Sequence, residues 1–197
     1  MPKKLNWVHG LIFFIVVNLI GFGWGVGDVQ GYYLGLNKPW FAPATWVFGI
    51  AWTVNNILVI TGNIWAYNFY QQLKNQELTE KQNKLVASAV SNLKIYGVLQ
   101  ILSWINFAVF QYLSFGTKIP SMFFWPTFSM WVITVVSMYF AGQIDTIRGW
   151  LKNSNLSRLE AFWSTVKAGR SIIFTFTTLI IWLSLASLLG YYVWMNN

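Results

Sequence analysis

Five apolar runs separated by polar stretches organise this chain, at roughly 7–27, 46–70, 95–115, 121–143 and 171–194. Each has the ~20 apolar residues that a helix needs to cross the hydrocarbon core of a bilayer. None carries Asp, Glu, Lys or Arg in its middle. Leu, Ile, Phe and Val fill them without the alternation expected of membrane barrel strands. The pattern predicts an all-α integral membrane protein, a single domain over residues 1–197 folded as a five-transmembrane-helix bundle. Lys3 and Lys4 precede the first run as they would in a signal peptide. The run is longer than a signal core, however, and no small-residue cleavage site stands near 26–32, so it reads as a retained helix.

Composition agrees. Charged residues make up 9% of the chain, against about 25% in a soluble domain, and the mean hydropathy is +0.49. The net charge of +8 raises nucleic acid as a partner, but its distribution argues against one. Lys3 and Lys4 precede the first run, Lys74, Lys81, Lys84 and Lys94 lie between the second and third, and Arg148, Lys152, Arg158, Lys167 and Arg170 lie between the fourth and fifth. Only Lys38 and Lys118 fall on the other side. The positive-inside rule then predicts a cytoplasmic N-terminus and a C-terminus outside, which requires an odd number of spans. The basic connections 71–94 and 144–170 are expected to leave the bilayer and to contact anionic lipid. Short interfacial helices are expected at 78–81 and 157–163, with Trp150 and Trp163 at headgroup level.

Positions three and four apart share a helix face. On the second run Trp46, Gly49, Thr53, Asn56, Ile60 and Asn63 form one stripe, with Trp52 beside it. The third run offers Gln100, Ser103 and Asn106, the fifth Thr177, Ser184 and Tyr191, and the first Asn18. A lipid-facing amide is costly, so these groups should face other helices. Two readings stand: interhelical hydrogen bonds with small-residue packing, or the lining of one lipophilic central pocket. Trp7, Trp46, Trp125 and Trp194 stand at run ends as belt anchors. Trp52, Trp104, Trp131 and Trp182 lie deeper, where an indole N–H needs a partner or a polar pocket. Core packing and cavity lining both account for them.

Several chemistries lack their parts. There is no cysteine, which excludes disulfides and thiolate metal sites. Without charge in mid-run, a proton relay or ion-coupled pump has no relay groups. The single histidine, His9, lies near the predicted cytoplasmic boundary, so a haem held by an axial histidine inside the bundle is not expected, although methionines such as Met130 or Met138 could in principle ligate one. No nucleophile–histidine–carboxylate set, metal cluster or phosphate loop is present. The glycine-rich stretch 21–27 follows no strand and reads as a flexible or closely packed helix end. No cofactor, no metal and no residue for acid–base catalysis are therefore expected.

Between the first two runs lies an aromatic loop stiffened by Pro39 and Pro43, which fix their own φ and drive the residue before each out of the helical region. Trp40 and Phe41 make it a semi-rigid flap of rings, placed to cover a pocket for a flat, apolar ligand. Tyr33, Leu36, Lys38, Pro39 and Pro43, then Trp46, Val47, Phe48, Gly49, Trp52 and Thr53, follow the pattern W-Y-x-x-L-x-K-P-x-W-x-P-P and W-V-F-G-x-x-W-T. Residues 182–194 are similar to a W-x-x-F-A-x-x-L-N ending. On these residues the chain resembles the tryptophan-rich sensory protein / translocator protein family (TspO/MBR, once called the peripheral benzodiazepine receptor). Tyr32, Phe41 and Ala44 depart from the pattern, as does Thr178-Leu179 where the family has Pro-Tyr. The family's sterol-recognition pattern lacks its basic residue after Tyr192, and a reversed version stands at Lys94-Ile95-Tyr96-Gly97-Val98.

The resemblance implies a five-helix bundle with a lipophilic pocket under the first loop, usually as a homodimer. Family ligands include protoporphyrin IX, haem and other tetrapyrroles, sterols, and synthetic isoquinoline carboxamides and benzodiazepines. Carried over by position, the pocket tryptophans are Trp52 and Trp182, with Ala186 on the wall. The leading expectation is a membrane receptor or carrier for a tetrapyrrole-like ligand, for sensing or transport. Trp52 and Trp182 stack on its ring, Trp40 and Phe41 close the lid, and Thr53, Asn56, Ser103 and Asn106 hydrogen-bond polar substituents. Lys38 is a candidate for attracting carboxylates at the mouth. One alternative is light-dependent breakdown of protoporphyrin IX, with Trp52 and Trp182 as redox partners. Another is a regulatory membrane partner with no small ligand, acting through its basic loops.

Overall fold

A computed structural model describes residues 4–23, 29–74 and 80–197. Its helices are α1 (Trp7–Gly23), α2 (Val29–Gly35), α3 (Thr45–Lys74), α4 (Glu80–Gln111), α5 (Ser121–Lys152), α6 (Arg158–Lys167) and α7 (Thr177–Asn196). A π-helical turn, Tyr112–Gly116, follows α4, and a 3-10 turn, Ile173–Phe176, precedes α7. Four helical stretches are long and apolar enough to cross a membrane: Thr45–Lys74, Gln82–Ser114, Ser121–Lys152 and Ile173–Asn196, with a shorter apolar helix in α1. No strand occurs among the described residues. Lys3, residues 78 and 79 of the 78–81 segment and part of the 21–27 glycine stretch lie outside the described residues.

Apolar side chains face outward as well as inward. Leu11 and Leu19 on α1, Ile101 and Ile105 on α4, and Ile181 and Leu188 on α7 are all more than half exposed. A contiguous apolar exterior of this kind is the surface of a protein solvated by lipid. Inside, α5 packs on α4, α6 and α7, while α1 lies against both α3 and α4. Gly10 sets the α1–α3 approach, since a Cβ there would stand 2.7 Å from Ile60 Cγ2.

The polar groups on the spanning helices mostly serve the first of the two readings. Tyr96 OH donates to Asn63 Oδ1 at 2.8 Å, joining α4 to α3. Gln100 Nε2 donates to Ser137 Oγ at 3.0 Å, joining α4 to α5. Trp131 Nε1 donates to Ser184 Oγ at 3.0 Å, joining α5 to α7. Asn68 exchanges two hydrogen bonds with the Leu5 backbone. Asn18 stays local, donating to Phe14 O. Pro126 lies inside α5 and cannot donate to the Met122 carbonyl one turn back. Ser114 Oγ from the π-turn donates to that carbonyl at 2.7 Å, which restores the lost bond.

The helices outrun the apolar segments. α4 begins at Glu80 rather than near 95, and α5 continues to Lys152 rather than ending near 143. The reason is packing beyond the apolar runs: Leu85, Val86, Ala89, Val90 and Leu93 keep helical spacing and join a core with Ile144, Ile147 and Leu151. Helix propensity and one buried face suffice there without lipid.

α6 covers the expected interfacial helix. Ser157 caps it, accepting from Glu160 N at 3.3 Å, while Glu160 Oε2 accepts from Ser157 N at 2.9 Å. These bonds hold the exposed Glu160 carboxyl below its ordinary 4.5. A depressed folded-state pKa contributes stability above the unfolded value and loses it as pH falls through the folded one. α6 is therefore expected to fray on acidification below pH 4.5. Hydrogen exchange of its first-turn amides as a function of pH reads this directly, and in E160Q the pH dependence should vanish.

Candidate functional site

The centre of the bundle is a chain of rings contributed by α2, α3, α4 and α7. Trp52 of α3 and Trp182 of α7 meet edge to face, centroids 6.3 Å apart at 86°. Trp52 also lies 4.9 Å from Phe107 and 5.9 Å from Phe110 of α4. Trp182 packs on Phe48 at 5.3 Å, and Phe48 on Tyr33 of α2 at 5.3 Å. Trp182 is buried with its indole N–H unpartnered. Such a donor is costly to leave unpaired, and it marks the site as one that a ligand acceptor could complete.

Two small cavities flank these rings. One of about 80 Å³ is lined by Ala186, Tyr33, Phe48, Phe110 and Thr127 among others. The other, about 20 Å³, is lined by Trp52, Asn56, Ser103, Trp104 and Phe107 among others. Small-molecule pockets run to about 300–1,000 Å³, so in this conformation the rings fill the centre themselves. Asn56 and Ser103 are therefore gathered with Trp52, and Ala186 lies a short way along the same axis.

The other expected site residues lie elsewhere. Asn106 Nδ2 donates to Ser129 Oγ at 2.6 Å and Pro126 O at 3.1 Å, which turns it toward α5 and away from the cavity. Thr53 is exposed and donates to Gly49 O one turn back at 2.8 Å. Trp40 is 96% exposed and packs edge-on against Phe41, so this part of the flap stands off the bundle. The lower half of the α3 stripe holds inward with Asn56, Ile60 and Asn63, while Trp46, Gly49 and Thr53 at its start are exposed. A stripe read at fixed spacing cannot register that the first turns of α3 pack through Phe48, on Tyr33 and Trp182, which leaves Trp46, Gly49 and Thr53 facing outward.

Lys38 is not a free cation at the mouth. Its ammonium donates to Tyr33 O at 2.6 Å, Leu34 O at 3.1 Å and Leu36 O at 3.1 Å, and it lies 4.8 Å over the Tyr33 ring. All three N–H groups are used on the carbonyls that end α2, where a cation complements the helix dipole. Burial pushes the Tyr33 phenol up to about 12, and it donates to Pro43 O at 2.9 Å. The Lys-Pro segment thus builds the loop; Asn197 closes it by exchanging bonds with Asn37.

Sequence reasoning missed one buried centre. Asp145 of α5 is fully buried. Its Oδ2 accepts from Ser171 Oγ at 2.7 Å and Ile173 N at 3.1 Å, and Oδ1 faces Arg148 Nη1 at 3.8 Å. Arg148 in turn donates to Arg170 O at 2.8 Å and lies over the Phe69 ring. Asp145 stands two residues past the fourth apolar run and looked like part of a solvated loop. The signal that could have found it is Ile144, Ile147 and Leu151, which continue the helical face through it.

Helices long and apolar enough to cross a membrane, with an apolar exterior, define an integral, multi-pass helical membrane protein. The sequence model of the TspO/MBR family matches residues 11–153, and the chain belongs to that family. Membership places it, at family level, among membrane sensors and transporters associated with tetrapyrroles. The matched range ends with α5 and leaves out α6 and α7. No curated protein matches the chain.

Proposed function

We propose that the protein is a membrane receptor or carrier for a flat lipophilic ligand of tetrapyrrole type, held between Trp52 and Trp182. The observation that carries the reading is this pair of indoles at the bundle centre, one with an unpartnered N–H. Asn56 and Ser103 beside Trp52 supply polar contacts, and Ala186 leaves room along α7. Because rings fill the site when empty, ligand entry must part Trp52 from Trp182 or move Phe107. In this reading α1 completes a five-helix bundle, the flap at Trp40 and Phe41 folds over the loaded site, and the protein works as a homodimer. The basic end, with α6 and the ends of α3 and α4 that adjoin Lys74 and Lys84, faces the cytoplasm.

Fluorescence titration of detergent-purified protein with protoporphyrin IX tests the assignment. The wild type should show saturable quenching in the dark. Losing two stacking partners worth about 0.5–1.5 kcal/mol each should weaken binding about five- to 150-fold in the Trp52→Leu/Trp182→Leu protein. Unchanged affinity in that protein removes the two tryptophans from the site. Absence of saturable quenching in the wild type moves the ligand-free regulatory reading forward, and bleaching of bound porphyrin under light favours breakdown over carriage.

A further inference from the structure

A cavity far larger than the two at the aromatic centre lies elsewhere on the bundle. A groove of about 810 Å³ opens on the outer surface between α1, α3 and α4. His9 and Phe13 of α1, Ile64 and Tyr67 of α3, and Lys94 and Trp104 of α4 mark its extent. From Lys94 to Trp104 the α4 wall runs ten residues, about 15 Å at 1.5 Å per residue. That is about half of a ~30 Å hydrocarbon core, the depth of one leaflet. Its walls are almost wholly apolar along this length. Lys94 is exposed at one end, and Tyr67 and Tyr70 of α3 also line the groove. At the floor stand Phe13 and Trp104, edge to face at 5.0 Å.

We propose that this groove is a binding site for one anionic phospholipid of the leaflet on the basic side. An acyl chain lies along α4 from Lys94 to the Trp104–Phe13 floor, and the phosphate is held at Lys94. The depth matches a single leaflet, the wall chemistry matches a hydrocarbon chain, and the mouth supplies the charge that tells an anionic from a zwitterionic headgroup. Trp104 lines both this groove and the small cavity beside Trp52, so an occupied groove braces the outer wall of the central site. The site stands whether or not the centre binds a tetrapyrrole.

Gly97 gives the test a clean handle. It lines the groove, and a Cβ added there meets nothing within 4 Å, so Gly97→Phe fills the space without displacing a helix. Ile101→Trp, at a position 62% exposed on the same wall, is the second filling variant. Native mass spectrometry of the detergent-released full chain with added dioleoyl-phosphatidylglycerol should show one retained lipid, and dioleoyl-phosphatidylcholine several-fold less. Both filling variants should lose the retained lipid while keeping the wild-type helical content. Lys94→Gln should cut phosphatidylglycerol retention about fivefold, the equivalent of ~1 kcal/mol per cation, and leave phosphatidylcholine unaffected. Equal retention of the two lipids, or retention that survives both filling variants, means annular lipid only and overturns the site. Filling variants that turn a dimer into a monomer without changing lipid retention assign the groove to a second copy instead.

Discussion

Replacing Asp145 with alanine is expected to destabilise the protein by about 3–5 kcal/mol, the usual result of removing one partner from a buried ion pair. The carboxylate is fully buried and serves three groups at once. Without it, Ser171 Oγ and the Ile173 amide lose their acceptor, and Arg148 keeps its charge with no counter-ion. All three belong to the corner where α5 meets the segment entering α7, so the loss falls on the docking of α7. Asp145→Asn retains an oxygen for Ser171 and Ile173 but gives up the attraction to Arg148. At 3.8 Å that contact is an ion pair beyond hydrogen-bond distance, so the asparagine variant should lose less than half as much. Denaturant unfolding in detergent, followed by far-UV circular dichroism, reads both. An alanine variant within about 1 kcal/mol of wild type would show that water already solvates this corner.

Gly190→Leu is the second large effect. A Cβ at Gly190 of α7 would stand 2.5 Å from Phe123 O and 2.9 Å from Phe124 Cα, so the backbones of α5 and α7 are in contact there. Neither neighbour is the end of a flexible side chain, and the helices must separate to admit the residue. Overpacking costs about 1–3 kcal/mol and occasionally more, and a clash with backbone belongs to the upper end. The consequence reaches the site, because Gly190 and Ala186 line the same cavity under Phe48. Pushing α7 outward should break the Trp131–Ser184 bond and draw Trp182 from Trp52. The expected result is a protein at least ~3 kcal/mol less stable, with weakened porphyrin quenching. Gly97→Phe should be tolerated by comparison, since its Cβ meets open space. If the two variants unfold at equal denaturant concentration, the close α5–α7 approach is not what holds these helices.

Much of this protein was legible along the chain. Apolar runs free of central charge specify helices in lipid, because no other backbone arrangement without a closed barrel satisfies its own hydrogen bonds there. The same pattern, with the aromatic loop, pointed to the family, and Trp52 and Trp182 do meet at the centre. Less legible were the assignments of single polar groups. Asn106 and Thr53 lie on the spacing of a pocket, yet one is spent on Pro126 and Ser129 and the other on its own helix. Lys38 read as a mouth cation because three consecutive residues of context cannot show that α2 ends with its carbonyls pointing at that ammonium.

By itself the sequence determined where the apolar stretches of the long helices lie and that the basic residues collect in the connections at one end. These follow from composition and from periods of 3.6 residues, both local quantities. Only the tertiary structure decided that Asp145 is buried, that the aromatic centre closes on itself and that an open groove lies between α1, α3 and α4. Each of those depends on how far neighbouring helices extend and how closely they approach, which is set by side chains distant in the chain meeting in space.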